Sequence, residues 1–413
     1  MPAGADASGR FDLAIVGGGL VGASLAVALS ATKLRIALVE AFAPDSAAQP
    51  SFDERTTALG NASRRVFEAL GLWDAMEPDA APITDIHVSD AGRFGFARLA
   101  AKDFDVPALG YVVPNRVLGR VLWEGLRRAP NVQAFMPMRV RAVTPGMDAV
   151  GLSLEGDAGA RQIDARLVVA ADGTHSLVRE AAGLSATVDD YHQVAVVAGL
   201  RTDQSNDGIA YERFTAAGPM ALLPLRGATQ RNWRTLVWAA KPDDATRLMG
   251  LDAPAFMAEW QQAFGWRAGR ALELGRRVPY PLALSRSSDA VAHRIAVLGN
   301  ASQLLHPVAG QGFNLGLRDA ADLAEVLAAS PPDPGSADVL AEFAARRSAD
   351  RSGVVRFTDT LVRTFSNTNP VVALARDAGL LAFDLLPPAK RALSRVSLGF
   401  GGRAPRLTRG LMP

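Results

Sequence analysis

Cysteine is absent from the 413 residues. That excludes disulfides, thiolate metal ligands and cysteine nucleophiles together, and accords with a reducing compartment. Histidine is scarce, with five residues and no H-x-x-x-H or comparable cluster, so no metal site is expected. Residues 1–10 lack the basic start and apolar stretch of an export signal, so none is expected. A long apolar run is missing too. The best candidate, residues 13–29, is short for a span and is interrupted by Gly17, Gly18, Gly19 and Gly22.

Charge is close to balance at +2, and the pI near 9.1 carries no argument for a nucleic-acid partner. Basic residues do gather at the end of the chain. Residues 390–413 hold Lys390, Arg391, Arg395, Arg403, Arg406 and Arg409, with no acidic residue among them. Such a tail reads either as a contact with an anionic surface or as solvent-facing charge. An apolar content of 49% with 21% charged residues predicts a globular chain with a substantial core, long enough for two or three domains.

Three segments carry the chemistry. In the first, Leu13-Ala14-Ile15-Val16 predicts a strand and Gly17-Gly18-Gly19-Leu20-Val21-Gly22 supplies G-x-G-x-x-G. An Ala/Leu-rich helix follows, then the strand Ile36-Ala37-Leu38-Val39, which ends at Glu40. Gly17 permits the tight turn, Gly19 admits a pyrophosphate against backbone, and Gly22 lets helix and strand pack closely. The helix start offers N–H groups to phosphates, and Glu40 stands where a carboxylate accepts bonds from an adenosine ribose. A phosphate on that ribose would be repelled, which disfavours NADP in this pocket. The G-x-G-x-x-G pattern alone is weak, and the flanking strands and acid make it strong.

The second segment, Leu167-Val168-Val169-Ala170-Ala171-Asp172-Gly173, predicts a buried strand and a turn, then a helix capped by Thr174 or Ser176. Taken alone it is an ordinary strand-to-helix turn, and His175 within it reads as structural. The third runs from Ile295-Ala296-Val297-Leu298-Gly299-Asn300 through His306-Pro307-Val308-Ala309-Gly310-Gln311-Gly312-Phe313-Asn314. An apolar strand there enters a Gly/Pro loop that opens a helix, with room for a flat ligand beside the backbone.

In order and separation these segments resemble the para-hydroxybenzoate hydroxylase-like flavoprotein monooxygenases, across nearly the whole chain. The resemblance implies that FAD is the cofactor and NAD(P)H a transient electron donor. It places the ADP half of FAD on Gly17, Gly19, Gly22 and Glu40, and gives Asp172 to FAD and nicotinamide binding. Gly299, Asn300, Pro307, Gly310, Gln311, Gly312, Phe313 and Asn314 would hold the ribityl chain and cover the isoalloxazine. Arg55, in Asp53-Glu54-Arg55-Thr56-Thr57-Ala58-Leu59, and Arg116, in Asn115-Arg116-Val117-Leu118, look like the family's two cofactor-contacting arginines.

Asn300 departs from the family, which usually has aspartate there. The amide still donates to and accepts from ribityl hydroxyls, but a negative charge beside the flavin is gone. With the run from Gly299 to Gly316 and Leu385-Leu386-Pro387-Pro388, it makes the chain similar to the ubiquinone-biosynthesis branch, most of all to its 2-octaprenyl-6-methoxyphenol hydroxylases.

The expected fold class is α/β: a Rossmann-like FAD-binding domain with an inserted α+β substrate domain of mixed or antiparallel sheet, and a C-terminal helical segment. The FAD-binding domain is expected at 1–82, 107–187 and 282–365, the substrate domain at 83–106 and 188–281, and the helical segment with its basic tail at 366–413. The strand Gly218-Pro219-Met220-Ala221-Leu222-Leu223-Pro224-Leu225 resembles one that borders the substrate cavity in relatives, which puts Leu222 and Pro224 there, though composition alone favours plain sheet core. Val371, Leu374, Ala375, Ala378, Leu381 and Leu385 keep helical spacing. They predict a helix packed on the parent domain or one touching a membrane or a partner in a ubiquinone-biosynthesis complex.

The family reaction uses NAD(P)H and O₂ to hydroxylate an electron-rich phenol and needs no protein nucleophile. The expected substrate is a prenylated phenol and the expected location cytoplasmic, peripheral at the inner membrane. His306 is the candidate for assisting phenol deprotonation, set against a loop-stabilising hydrogen bond. Two other readings stay open: a flavin-dependent reductase or epoxidase of an isoprenoid, and a non-catalytic prenyl-binding escort on a flavoprotein fold.

Overall fold

The computed structural model describes residues 9–46, 49, 51–53, 55–93, 95–157, 159–215, 218–226, 231–365, 379 and 404–413. The expected helical positions from Val371 to Leu385 lie outside the described residues.

The chain opens with β1 (Arg10–Val16), α1 (Leu20–Ala28) and β2 (Ile36–Val39). β1 sits at the centre of an eight-stranded sheet, parallel to β2 on one side and to Gly159–Ala170 on the other. Val132–Phe135 and Ile295–Val297 extend this parallel core outward. Both faces are covered, which is why these strands read as unbroken apolar runs. Leu13, Ile15, Leu38 and Val169 pack on one face with residues of α1 and of the helices Asn115–Leu126 and Gln311–Ala328. Ala14, Val168 and Val297 pack on the other with the antiparallel strands Met138–Pro145 and Val150–Gly156.

A nine-stranded mixed sheet forms the second layer. It draws Asp85–Asp90 and Phe96–Ala100 from the first expected substrate segment and Ile209–Thr215, Gly218–Pro224 and Trp233–Ala240 from the second. Two long strands, Ala186–Thr202 and Val278–Ser287, run through the expected boundaries at 188 and 281. The helix Ala253–Phe264 packs on one face through Phe256, Trp260 and Phe264. A small sheet of Thr56–Gly60, Gly110–Pro114 and Ala81–Ile83 meets the other face, where Ala58, Ala81, Ile83 and Val112 contact Ala210 and Leu223.

Buried charge ties the last long helix, Ala337–Phe365, to Gln311–Ala328. Arg347 and Asp319 are both fully buried and joined at 2.7 Å, with Asp322 at 3.1 Å and Asp350 at 2.7 Å from the same guanidinium. Asp319 also accepts from Gln303, which anchors the third motif to this network. At the chain end Leu407 is buried and the Arg406 N–H donates to Glu325, so the described part of the basic tail lies against the body of the protein. Among the described residues, no helix is long and apolar enough to cross a membrane.

Candidate functional site

The glycine turn is forced by contact. Gly17 has φ +101°, and a Cβ there would stand 2.3 Å from the Ala171 carbonyl oxygen. A Cβ at Gly22 would stand 1.9 Å from the Gly17 oxygen. Only glycine lets strand, turn and helix approach this closely. Gly19 caps α1 with no side-chain bond, so the first-turn N–H groups carry the helix's positive end into the crevice. Glu40, at the tip of β2, accepts the Gly18 N–H at 2.6 Å and the Phe42 N–H at 2.9 Å, and still lines the crevice. Each carboxylate oxygen keeps a lone pair for a ribose hydroxyl.

The crevice is a cavity of about 650 Å³, within the range of small-molecule and cofactor sites. It gathers Gly17, Gly19 and Glu40 from the first motif, Asp172 and Gly173 from the second, and Gly299, Asn300, Gly312 and Phe313 from the third. Residues nearly three hundred positions apart share one wall because β1 and Ile295–Val297 both flank the strand Gly159–Ala170. Two buried polar atoms at the cavity lack a partner among the described residues, Oδ1 of Asp172 and Nε2 of Gln49. An orphaned acceptor and an orphaned donor along one groove fit a ligand carrying both hydroxyls and acceptors, as FAD does. Burial pushes the Asp172 carboxyl above its usual range, with hydrogen bonds from Ser176 and Val178 opposing it.

The other expected residues divide. Arg55 lines the cavity, paired with Asp53 at 2.6 Å and lying over the Tyr280 ring at 4.6 Å. Arg116 has an exposed side chain away from the cavity lining, and its neighbour Asn115 lines the wall instead, accepting from the Thr57 hydroxyl at 2.7 Å. Asn314 spends its amide on the protein, donating to the Ala58 and Gly310 carbonyls and accepting from the Gly60 N–H and the Ser63 hydroxyl. It pins the third motif to the strand Thr56–Gly60. Pro307 starts a short 3-10 turn, Gly310 takes φ +60° beside Ala58, and Gln311 is buried at the start of the following helix. Sequence reasoning missed Gln49, Ser51 and Phe42, which line the cavity from a loop with no pattern of its own.

His306 is 1% exposed. Its Nδ1 accepts the Val308 N–H at 3.2 Å, which sets the tautomer, and the protonated Nε2 faces the Gln193 amide oxygen at 3.3 Å. Tyr191 packs edge-on against the ring at 5.3 Å. Burial pulls its pKa down to about 4, so the ring is neutral at pH 7 with both nitrogens engaged. The arrangement is that of a loop anchor, with Nδ1 on the Val308 N–H and Nε2 on the Gln193 amide oxygen.

The strand Gly218–Pro224 corrects the placement of Leu222 and Pro224. Leu222 is fully buried beneath the helix Ala253–Phe264, among Met220, Trp238 and Phe256, and Pro224 is buried on the same side of the strand. Side chains alternate along a strand, so Ala221 and Leu223 are the residues that face the FAD-binding layer. On that face Glu212, Ala221, Val237 and Val197 align across four strands and all four stay half-buried, while the neighbours of Ala221, Val237 and Val197 on the other face are buried. The Thr56 hydroxyl reaches Thr235 on this face, and Gln193 meets His306 there. A second cavity of about 360 Å³, lined by Arg93, Arg213, Arg267 and Trp266, belongs to the opposite side and is separate from this groove.

Residues 10–358 match the family described as FAD binding domain. The chain belongs to this family of FAD-dependent monooxygenases. It is 38% identical to the ubiquinone hydroxylase UbiL of Rhodospirillum rubrum, over 97% of this chain and 93% of that protein. It is 32% identical to the 3-demethoxyubiquinol 3-hydroxylase of Escherichia coli, over 94% and 98% respectively. In fold it is similar to the p-nitrophenol 4-monooxygenase PnpA of Pseudomonas putida DLL-E4, with a TM-score of 0.79, 20% identity, and coverage of 95% of this chain and 99% of that one. The monooxygenase is thus an oxidoreductase that uses FAD, and NAD(P)H is the donor typical of its family.

Proposed function

We propose that this monooxygenase hydroxylates a prenylated phenol in ubiquinone biosynthesis, using NAD(P)H and O₂, with 2-octaprenyl-6-methoxyphenol as its substrate. The observation that carries the reading is full-length similarity at 38% to a ubiquinone hydroxylase, joined to a FAD groove with polar atoms left for a ligand. Bound FAD supplies the electron relay and activates O₂. The chain's own part is to hold the dinucleotide on the glycine turn, Glu40 and Asp172, and to present the ring against the half-buried face of the nine-stranded sheet. The segments 83–106 and 188–281 act as the substrate domain in this reading. Work on a polyprenyl chain is served by peripheral contact with the cytoplasmic face of the inner membrane, through residues 366–413, and by a ubiquinone-biosynthesis complex as partner.

The test is the visible spectrum of the purified protein, followed anaerobically as NADPH and then 2-octaprenyl-6-methoxyphenol are added, with products identified after air is admitted. The reading expects flavin bleaching that quickens with the phenol, and a product heavier by one oxygen on the ring. A reduced or epoxidised side chain with an intact ring would overturn it, as would protein that neither carries nor takes up flavin. Hydroxylation only of 3-demethoxyubiquinol would keep the class and move the ring position.

A further inference from the structure

We propose that Glu212 is a catalytic residue of this monooxygenase: it accepts the proton of the substrate's phenolic hydroxyl as the ring lies on the row Ala221, Val237 and Val197. The inference rests on the phenol hydroxylase reading above and adds to it the group that activates the ring.

Strand register makes the first argument. Glu212 pairs with Ala221, Ala221 with Val237, and Val237 with Val197, so one lateral row carries a single carboxyl beside three small apolar side chains. Small residues leave a smooth floor on which a flat ring can rest. The same face meets the loop of the third cofactor motif through Gln193 and His306 and the cofactor-side strand through Thr56 and Thr235. The acid therefore stands on the surface that looks toward the flavin layer.

Partnering makes the second. Arg213 and Tyr211, on either side of Glu212, turn to the opposite face, where Arg213 donates to Ser89 and the Ala263 carbonyl and Tyr211 packs on Phe264. The lateral neighbour Val88 and the residues before and after on the same face, Ala210 and Phe214, are apolar. Asp90, level with Phe214 on the next strand, is the nearest carboxylate in register and pairs with Arg93 at 3.8 Å. Across the sheet, Tyr280 shares the face but is bound to Asp53 beneath Arg55. Glu212 makes no ion pair among the described residues, and a half-buried carboxylate held without a partner costs stability unless a ligand uses it.

Burial alone pushes the Glu212 carboxyl up to about 8. That places it between an ordinary carboxylate and a phenol near ~10, a match that eases proton transfer at working pH. In the step the phenolic O–H breaks, its electron pair stays on oxygen as phenolate, and the proton forms the carboxylic acid of Glu212. The phenolate is the more electron-rich ring, and the proton leaves to solvent after oxygen transfer.

The experiment compares holoenzyme with Glu212→Gln and Glu212→Asp, using 2-prenyl-6-methoxyphenol as probe. Glutamine keeps shape and hydrogen bonding but takes no proton. The expected result is a loss of about 100-fold or more in kcat with KM changed by less than about threefold, partial rescue by aspartate, and flavin content at the wild-type level. Wild-type kcat should rise with pH through about 8 and level off, and the glutamine variant should lack that plateau. Wild-type rate and pH profile in the glutamine variant would overturn the inference while leaving the hydroxylase reading intact. Wild-type enzyme that does not hydroxylate the probe would overturn that reading and this inference with it.

Discussion

His306 offers a sharp test because its burial has a calculable cost. A group whose folded pKa lies near 4 against 6.5 in the unfolded chain contributes stability that is present above the unfolded value and is lost as pH falls through this window. The loss works out at about 2 kcal/mol between about pH 7.5 and about pH 5, growing to about 3 kcal/mol by about pH 4. His306→Asn keeps an acceptor for the Val308 N–H and cannot take a proton. At about pH 7.5 the variant should be less stable by about 1 to 2 kcal/mol, for the lost Gln193 bond and the contact with Tyr191. That gap should close or reverse at about pH 5, because only wild type pays for protonation. The assay is urea unfolding of both proteins at the two pH values with saturating FAD, and comparing them removes the other histidines, His87 included, from the difference. A gap unchanged between the two pH values would refute the reasoning. It would mean that the imidazole ionises in place as readily as in the unfolded chain, and His306 would again be open to a proton-transfer role.

Three further outcomes follow from the same geometry. Arg347→Ala leaves Asp319, Asp322 and Asp350 without their shared buried cation, and should cost about 3 to 5 kcal/mol in unfolding, against less than about 0.5 kcal/mol for Arg141→Ala, which breaks an exposed pair; equal effects would show that burial does not set the cost. Gly22→Ala drives a Cβ into the Gly17 carbonyl, so FAD titration by fluorescence quenching should weaken by about tenfold or more, and unchanged affinity would contradict the contact. Asp172→Asn removes a carboxyl that burial already disfavours, so the flavin-free protein should melt no lower than wild type while its FAD affinity falls by about 10- to 100-fold. A lower melting point with undiminished affinity would make Asp172 a structural residue.

Much of the cofactor groove was legible in residue order. A glycine at 17 or 22 is demanded by contacts within one strand, turn and helix, so a local pattern suffices to find it. Arg55 also lines the cavity. Arg116 and Asn115 show the limit: they are adjacent on one helix, and the angle at which that helix docks turns Asn115 to the cavity and Arg116 to solvent. The polar atoms of Asn314 are consumed by a strand some 250 positions away, a partnership that spacing along the chain does not reveal.

Residue order by itself determined the parallel core and the glycine turn with Glu40, because each rests on a short pattern whose chemistry is complete within a few residues, and the order and separation of three such patterns along the chain gave FAD and the family. Tertiary structure alone decided which side of Gly218–Pro224 meets the cofactor layer, leaving Ala221 and Leu223 accessible and sealing Leu222 and Pro224. It also decided that His306 is neutral and that Glu212 stands as a lone acid on an apolar floor. The reason is physical. Alternation divides a strand into two faces, but only the layers packed above and below determine which face is core, which is open, and what a buried charge will cost.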